Sequence, residues 1–166
     1  MTSGGSRGPG ATATARRGRR PPAAPQEGAG RPILLVTLDV PLDPRAATVA
    51  VDAAVESGQP LIVANFAELP PLPLSIVMGS DDLGYTEEME RSLREPAQLA
   101  QSFGLRVERL KIKSLHPVEA MLGLARERSP GLLVFGPDLS KLGRRKFRRC
   151  VRALREQATC LVWLPD

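Results

Sequence analysis

Five short apolar runs with helical patterns between them set the main constraint on this chain. Residues 33–38, 60–67, 106–112, 131–135 and 160–164 read as strands, and each of the first four is followed by a stretch with helical spacing. The run from Leu132 to Phe135 is apolar throughout, which suits a strand buried on both faces. Strands that alternate with helices imply right-handed crossovers and a parallel sheet. The expected fold is therefore α/β, a three-layer sandwich with a five-stranded parallel sheet of order 3-2-1-4-5 and helices on both faces. In that order strands one and four are neighbours where the winding reverses, and ligands bind there, outside the carboxyl ends of the strands. This rule nominates Asp39, which closes strand one, and Gly136, which closes strand four.

Local signals place the helices. Asp43 suits an N-cap, Pro44 the first helical position and Gly58 the C-cap, with Ala46, Ala47, Ala50, Ala53 and Ala54 allowing close approach to a sheet. A second helix is predicted from about Tyr85 to Phe103, capped by Thr86, with Glu87, Glu88 and Glu90 at its positive end and Pro96 expected to kink or split it. A third starts at His116-Pro117 and runs to Arg128, with His116, the chain's one histidine, expected to cap it. A fourth runs from Gly143 or Arg144 to Gln157. Strand three reads as weak and edge-like. The connection over residues 68–83 opens with Pro70, Pro71 and Pro73 and then carries apolar residues that suggest it packs down.

Charge is unevenly distributed. The chain has 166 residues and a net charge of +5. Residues 1–31 hold six arginines against Glu27 and, past Met1, nothing apolar larger than alanine. Such a stretch buries too little surface to offset its ordering entropy, so a disordered, basic, Gly/Ala/Pro/Arg-rich tail is expected ahead of a single domain over residues 32–166. No apolar run approaches the length of a membrane span, and no apolar core of a secretory signal follows the amino terminus. Cys150 and Cys160 lack metal-site spacing and read as free thiols of a reducing, cytoplasmic compartment.

Chemistry-bearing constellations are sparse. There is no paired acid and base, no nucleophile with its base and no metal set, so no enzymatic activity is expected. Cys150 sits in a basic stretch that would lower its pKa if it were accessible; packed against the sheet it would be inert. Asp81 and Asp82 offer a cation too few ligands. The stretch from Lys141 to Arg149 could contact nucleic-acid phosphates, or it could be a solvated helix face; only Phe147 interleaves as an aromatic.

Taken in order, Ile33-Leu-Leu-Val-Thr-Leu-Asp39, His116-Pro117, Leu132-Leu-Val-Phe-Gly136 and Cys160-Leu-Val-Trp-Leu-Pro165 resemble a universal stress protein domain over nearly all of residues 32–166. The resemblance implies a nucleotide site near Asp39 and a glycine signature after strand four: Gly, two residues, Gly, nine residues, Gly, then Ser or Thr. Gly136 matches the first position, while Leu139, Arg149 and Cys150 stand at the others, followed by Val151. If the second glycine needs a positive φ, Leu139 would be strained. Pro137 also removes one N–H donor. Hence the expectation is a stress-response regulatory or interaction module with a degraded nucleotide pocket and no cofactor. Its candidate nucleotide contacts, if binding is retained, are Asp39, Gly136, Arg149, Cys150 and Val151. The resemblance further implies a homodimer through the edge strand from Cys160 to Leu164, beside an unknown protein partner. Two alternatives stand next to this reading: an ATP-binding stress switch, and a nucleic-acid-associated protein using the tail and helix four.

Overall fold

The computed structural model of the chain describes residues 30–69 and 86–165. Five strands, β1 (Ile33–Thr37), β2 (Leu61–Glu68), β3 (Val107–Ser114), β4 (Leu132–Phe135) and β5 (Leu161–Trp163), form one parallel sheet of order β3-β2-β1-β4-β5. Four helices connect them: α1 (Pro44–Ser57), α2 (Glu87–Ser102), α3 (Pro117–Arg128) and α4 (Arg144–Gln157). The α/β architecture and strand order are those expected.

The side-chain alternation of β1 explains the layers. Leu34 and Val36 join the cluster beneath α3 and α4, while Ile33 and Leu35 join the one beneath α1 and α2. A strand at the centre of a parallel sheet is covered on both faces, so every residue of β1 is buried. The alanine stripe of α1 does what small residues permit: Ala46, Ala50 and Ala54 are fully buried against the sheet.

The caps follow their local chemistry. Asp43 accepts the Arg45 N–H, Thr86 accepts that of Met89, and Gly58 takes a φ of 64° that favours glycine. Three expectations need correction. The helix α2 continues through Pro96 as one sixteen-residue element instead of splitting. Tertiary packing holds it, since Leu93, Pro96, Ala97 and Ala100 are all buried. Second, β3 is an edge strand as expected but is longer, pairing with β2 over eight residues to Ser114. Third, His116 occupies the N-cap of α3 without making a side-chain cap bond. The expected tail lies outside the described residues up to Ala29, as does the connection 70–85 with Asp81 and Asp82.

Candidate functional site

The carboxyl ends of β1 and β4 meet as the switch-point rule requires, with Val36 paired to Phe135. Two buried polar residues shape the loop that leaves β1. Thr37 Oγ1 donates to the Val40 carbonyl at 2.7 Å, and Asn65, its partner on β2, accepts the Asp39 N–H on Oδ1 at 3.0 Å. Between these two bonds Asp39 takes a φ of 53°, a left-handed conformation that short polar residues tolerate. Its side chain reaches solvent. Partial desolvation nonetheless pushes its carboxyl pKa up; Lys146 opposes this and Glu68 adds to it.

Beside Asp39 the two loops of the crevice are stitched together. The Asp43 N–H donates to the Gly136 carbonyl at 2.9 Å, the Asp138 N–H donates to the Pro41 carbonyl at 2.8 Å, and Leu42 and Pro137 form an antiparallel bridge. The Gly136 N–H donates to the Val36 carbonyl at 2.9 Å, so both backbone groups of this glycine are satisfied within the chain. Gly136 is a glycine for steric reasons. A Cβ built there would lie 2.1 Å from the Cβ of Ala46 on α1. The next turn is held by Asp138, whose Oδ1 accepts the Ser140 N–H at 2.9 Å and its hydroxyl at 2.6 Å. The left-handed strain expected at Leu139 is not present: among the described residues the non-glycine positions with positive φ are Asp39 and Ser129.

The three remaining candidates lie on α4, and of them Arg149 lines the hollow formed with Glu68, His116 and Lys146. Arg149 is in the second turn, where its N–H is engaged within the helix, and its side chain is exposed. The glycine at the start of α4 is Gly143, its N-cap. A count along the sequence therefore lands past the helix terminus, where free N–H groups would meet a phosphate. Cys150 has no accessible surface and faces the core cluster; burial pushes its thiol up to about 12, against a smaller opposing effect of Lys146. Its proximity to basic residues does not make it reactive, because desolvation of the thiolate outweighs the nearby charge. Val151 is half-buried against the same cluster.

Sequence reasoning missed the polar set beside the crevice. A hollow of about 530 Å³ is lined by Glu68 at the end of β2, His116 and Val118 at the start of α3, and Arg145, Lys146 and Arg149 of α4. The Lys146 Nζ donates to Glu68 Oε2 at 3.0 Å. That hydrogen bond and the lysine's charge hold the Glu68 carboxyl below its usual range. Glu68 and Lys146 are 78 residues apart, so only the strand order could have joined them. A second hollow of about 440 Å³ lies between α1 and α2, lined by Pro41, Val51, Pro96 and Leu99 among others. Among the described residues there is no cluster of His, Cys, Asp and Glu that could hold a metal, and no helix is long and apolar enough to cross a membrane.

A sequence model described as the universal stress protein family matches residues 30–164. No curated protein matches the chain. Solved structures do. UspA from Lactobacillus plantarum is similar at a TM-score of 0.61 and 16% identity, covering 82% of this chain and 98% of its own. A universal stress protein from Archaeoglobus fulgidus in complex with dAMP gives 0.54 and 18%, covering 81% and 96%. A universal stress protein in complex with cAMP gives 0.53 and 19%, covering 82% and 96%. At these identities the likeness is one of fold.

Proposed function

The chain belongs to the universal stress protein family, and on that premise we propose that it is a non-catalytic regulatory or interaction module of the stress response, working in the cytoplasm as a homodimer, with its nucleotide crevice closed by its own backbone. The observation that carries this reading is the stitching of the two loops at the β1–β4 switch point. The Gly136 N–H is engaged by Val36, its carbonyl by Asp43, and the Asp138 N–H by Pro41. Pro137 has no N–H to offer. A phosphate held by backbone donors needs free N–H groups at this place, and the loop supplies few. The free cysteines suit the compartment. The dimer is supported by β5, an edge strand of three residues whose Leu161 is 75% exposed.

A second reading, a nucleotide-binding stress switch, draws on the similar structures that hold dAMP and cAMP and on the solvent-facing Asp39 beside Gly136. Thermal denaturation with millimolar ATP, ADP, AMP and cyclic AMP separates the two. A ligand present at 100 times its dissociation constant stabilises by about 2.7 kcal/mol. The closed crevice predicts no shift with any of the four; a clear, saturable shift with one of them would establish the switch instead.

A further inference from the structure

The outer face of α4 is built against the helix that carries it. Its first turn reads Arg144-Arg145-Lys146 with no acid, at the end where the helix dipole is positive, and its N-cap Gly143 supplies no side-chain acceptor. Arg144 and Arg148, and Arg148 and Arg152, stand four apart as like charges, an arrangement that opposes helix formation. At 100° per residue Arg144, Arg148, Arg152 and Arg155 fall within an arc of about 80° and span about 16 Å of helix. Among the described residues Arg144, Arg148 and Arg155 have no ion-pair partner, and Arg152 has only the well-exposed Glu156 at 3.8 Å. Nearby, Lys141 pairs with Glu88 and Lys146 with Glu68, while Arg145 and Arg149, next round the helix from the arc, line the hollow beside Glu68 and His116.

We propose that this arginine face is a docking surface for the phosphate backbone of duplex nucleic acid, bound without regard to sequence. Over 16 Å one strand of a duplex presents about five phosphates, a fair match to four arginines in a row. Binding that relies on base stacking is disfavoured because Phe147, the helix's one aromatic, is stacked on Phe135 at 5.9 Å between ring centroids. A membrane surface fits poorly, because Cys150 and Leu154 are buried and Phe147 and Val151 pack on the core, which leaves this face nothing apolar to insert. None of the four arginines lines the hollow of Glu68, His116 and Lys146, so the proposal does not depend on whether the β1–β4 crevice takes a nucleotide.

The test is fluorescence anisotropy of a labelled 20-base-pair duplex with the full chain at 50–200 mM salt. Arg148→Gln with Arg152→Gln removes two phosphate contacts. The slope of log affinity against log salt should flatten by about 1.8, and affinity should fall about two-hundredfold at 50 mM and about twentyfold at 200 mM, taking the electrostatic part as zero at 1 M. Arg148→Lys with Arg152→Lys should keep the slope. Arg144→Gln with Arg155→Gln gives a second reading on the same arc should the first pair misfold. An unchanged slope in the glutamine variants would assign binding to the arginine-rich amino terminus and overturn the proposal. So would absence of duplex binding at 50 mM salt, or tighter binding to phosphatidylserine vesicles or polyglutamate than to the duplex.

Discussion

Replacing Gly136 with alanine tests the packing of α1 against the end of β4 at the crevice. The new Cβ would sit 2.1 Å from the Ala46 Cβ, whereas carbon atoms pack at about 3.5–4.0 Å, so roughly 1.5 Å must open between α1 and the end of β4. Neither methyl group has a rotamer to change. Ala46 is fully buried in the first turn of α1, which the Asp43 cap and the Asp43 N–H bond to the Gly136 carbonyl tie in place. Overpacking of this kind costs about 1–3 kcal/mol, and two backbone-anchored atoms put it near the upper end. Ala46→Gly alone should cost about 1–2 kcal/mol, through a lost buried methyl and the lower helix propensity of glycine. If the clash is the cause, the double variant should be no worse than Ala46→Gly, leaving a coupling of about 2–3 kcal/mol in a double-mutant cycle. Urea denaturation followed by circular dichroism, with a common m-value across the four proteins, measures it. A Gly136→Ala variant within 0.5 kcal/mol of the parent, or a strictly additive double variant, would refute the steric account and return Gly136 to a ligand-facing role.

Two further outcomes are expected. Glu90 on α2 bridges β3 through Arg109 at 3.0 Å and Lys111 at 2.7 Å, and the Lys111 hydrogen bond leads in holding its carboxyl below the usual range. A depressed carboxyl contributes stability above its unfolded value and loses it as pH falls through the folded one. Glu90→Gln should therefore cost about 0.5–1 kcal/mol at pH 7 and nothing once both forms are protonated, well below pH 4; an equal difference at both ends of a pH series would show that charge is not the cause. Light scattering after size exclusion should read twice 17.9 kDa for the parent and the monomer mass for Leu161→Lys, because a lysine on the exposed edge blocks strand pairing; a parent that elutes as a monomer would remove the dimer from the proposed function.

The legible parts of this molecule were local ones. Asp43, Pro44 and Gly58 bound α1 as their side chains and backbone freedom dictate, and Thr86 caps α2. Strand and helix alternation carried the sheet order, since right-handed crossovers leave few ways to arrange five parallel strands. Spacing along the chain misled where the loop length mattered. A count from Gly136 reaches Arg149 and Cys150, yet the first lies in the second turn of α4 and the second in the core, because the turn held by Asp138 lets the helix begin at Gly143. Pro96 misled in the other direction: a strong local breaker yielded to a buried helix face.

Taken alone, the amino-acid order determined which segments become strands, where three of the helices begin, and that Asp39 and Gly136 follow the carboxyl ends of neighbouring strands at a sheet switch point. Only the folded arrangement decided what that meeting place contains: Ala46 pressed against Gly136, Pro41 bonded to Asp138, and Lys146 drawn to a carboxylate 78 residues away. Caps and periodicity are written in neighbours a few residues apart, whereas contacts between loops depend on the rise and register of every strand between them, to within the length of a hydrogen bond.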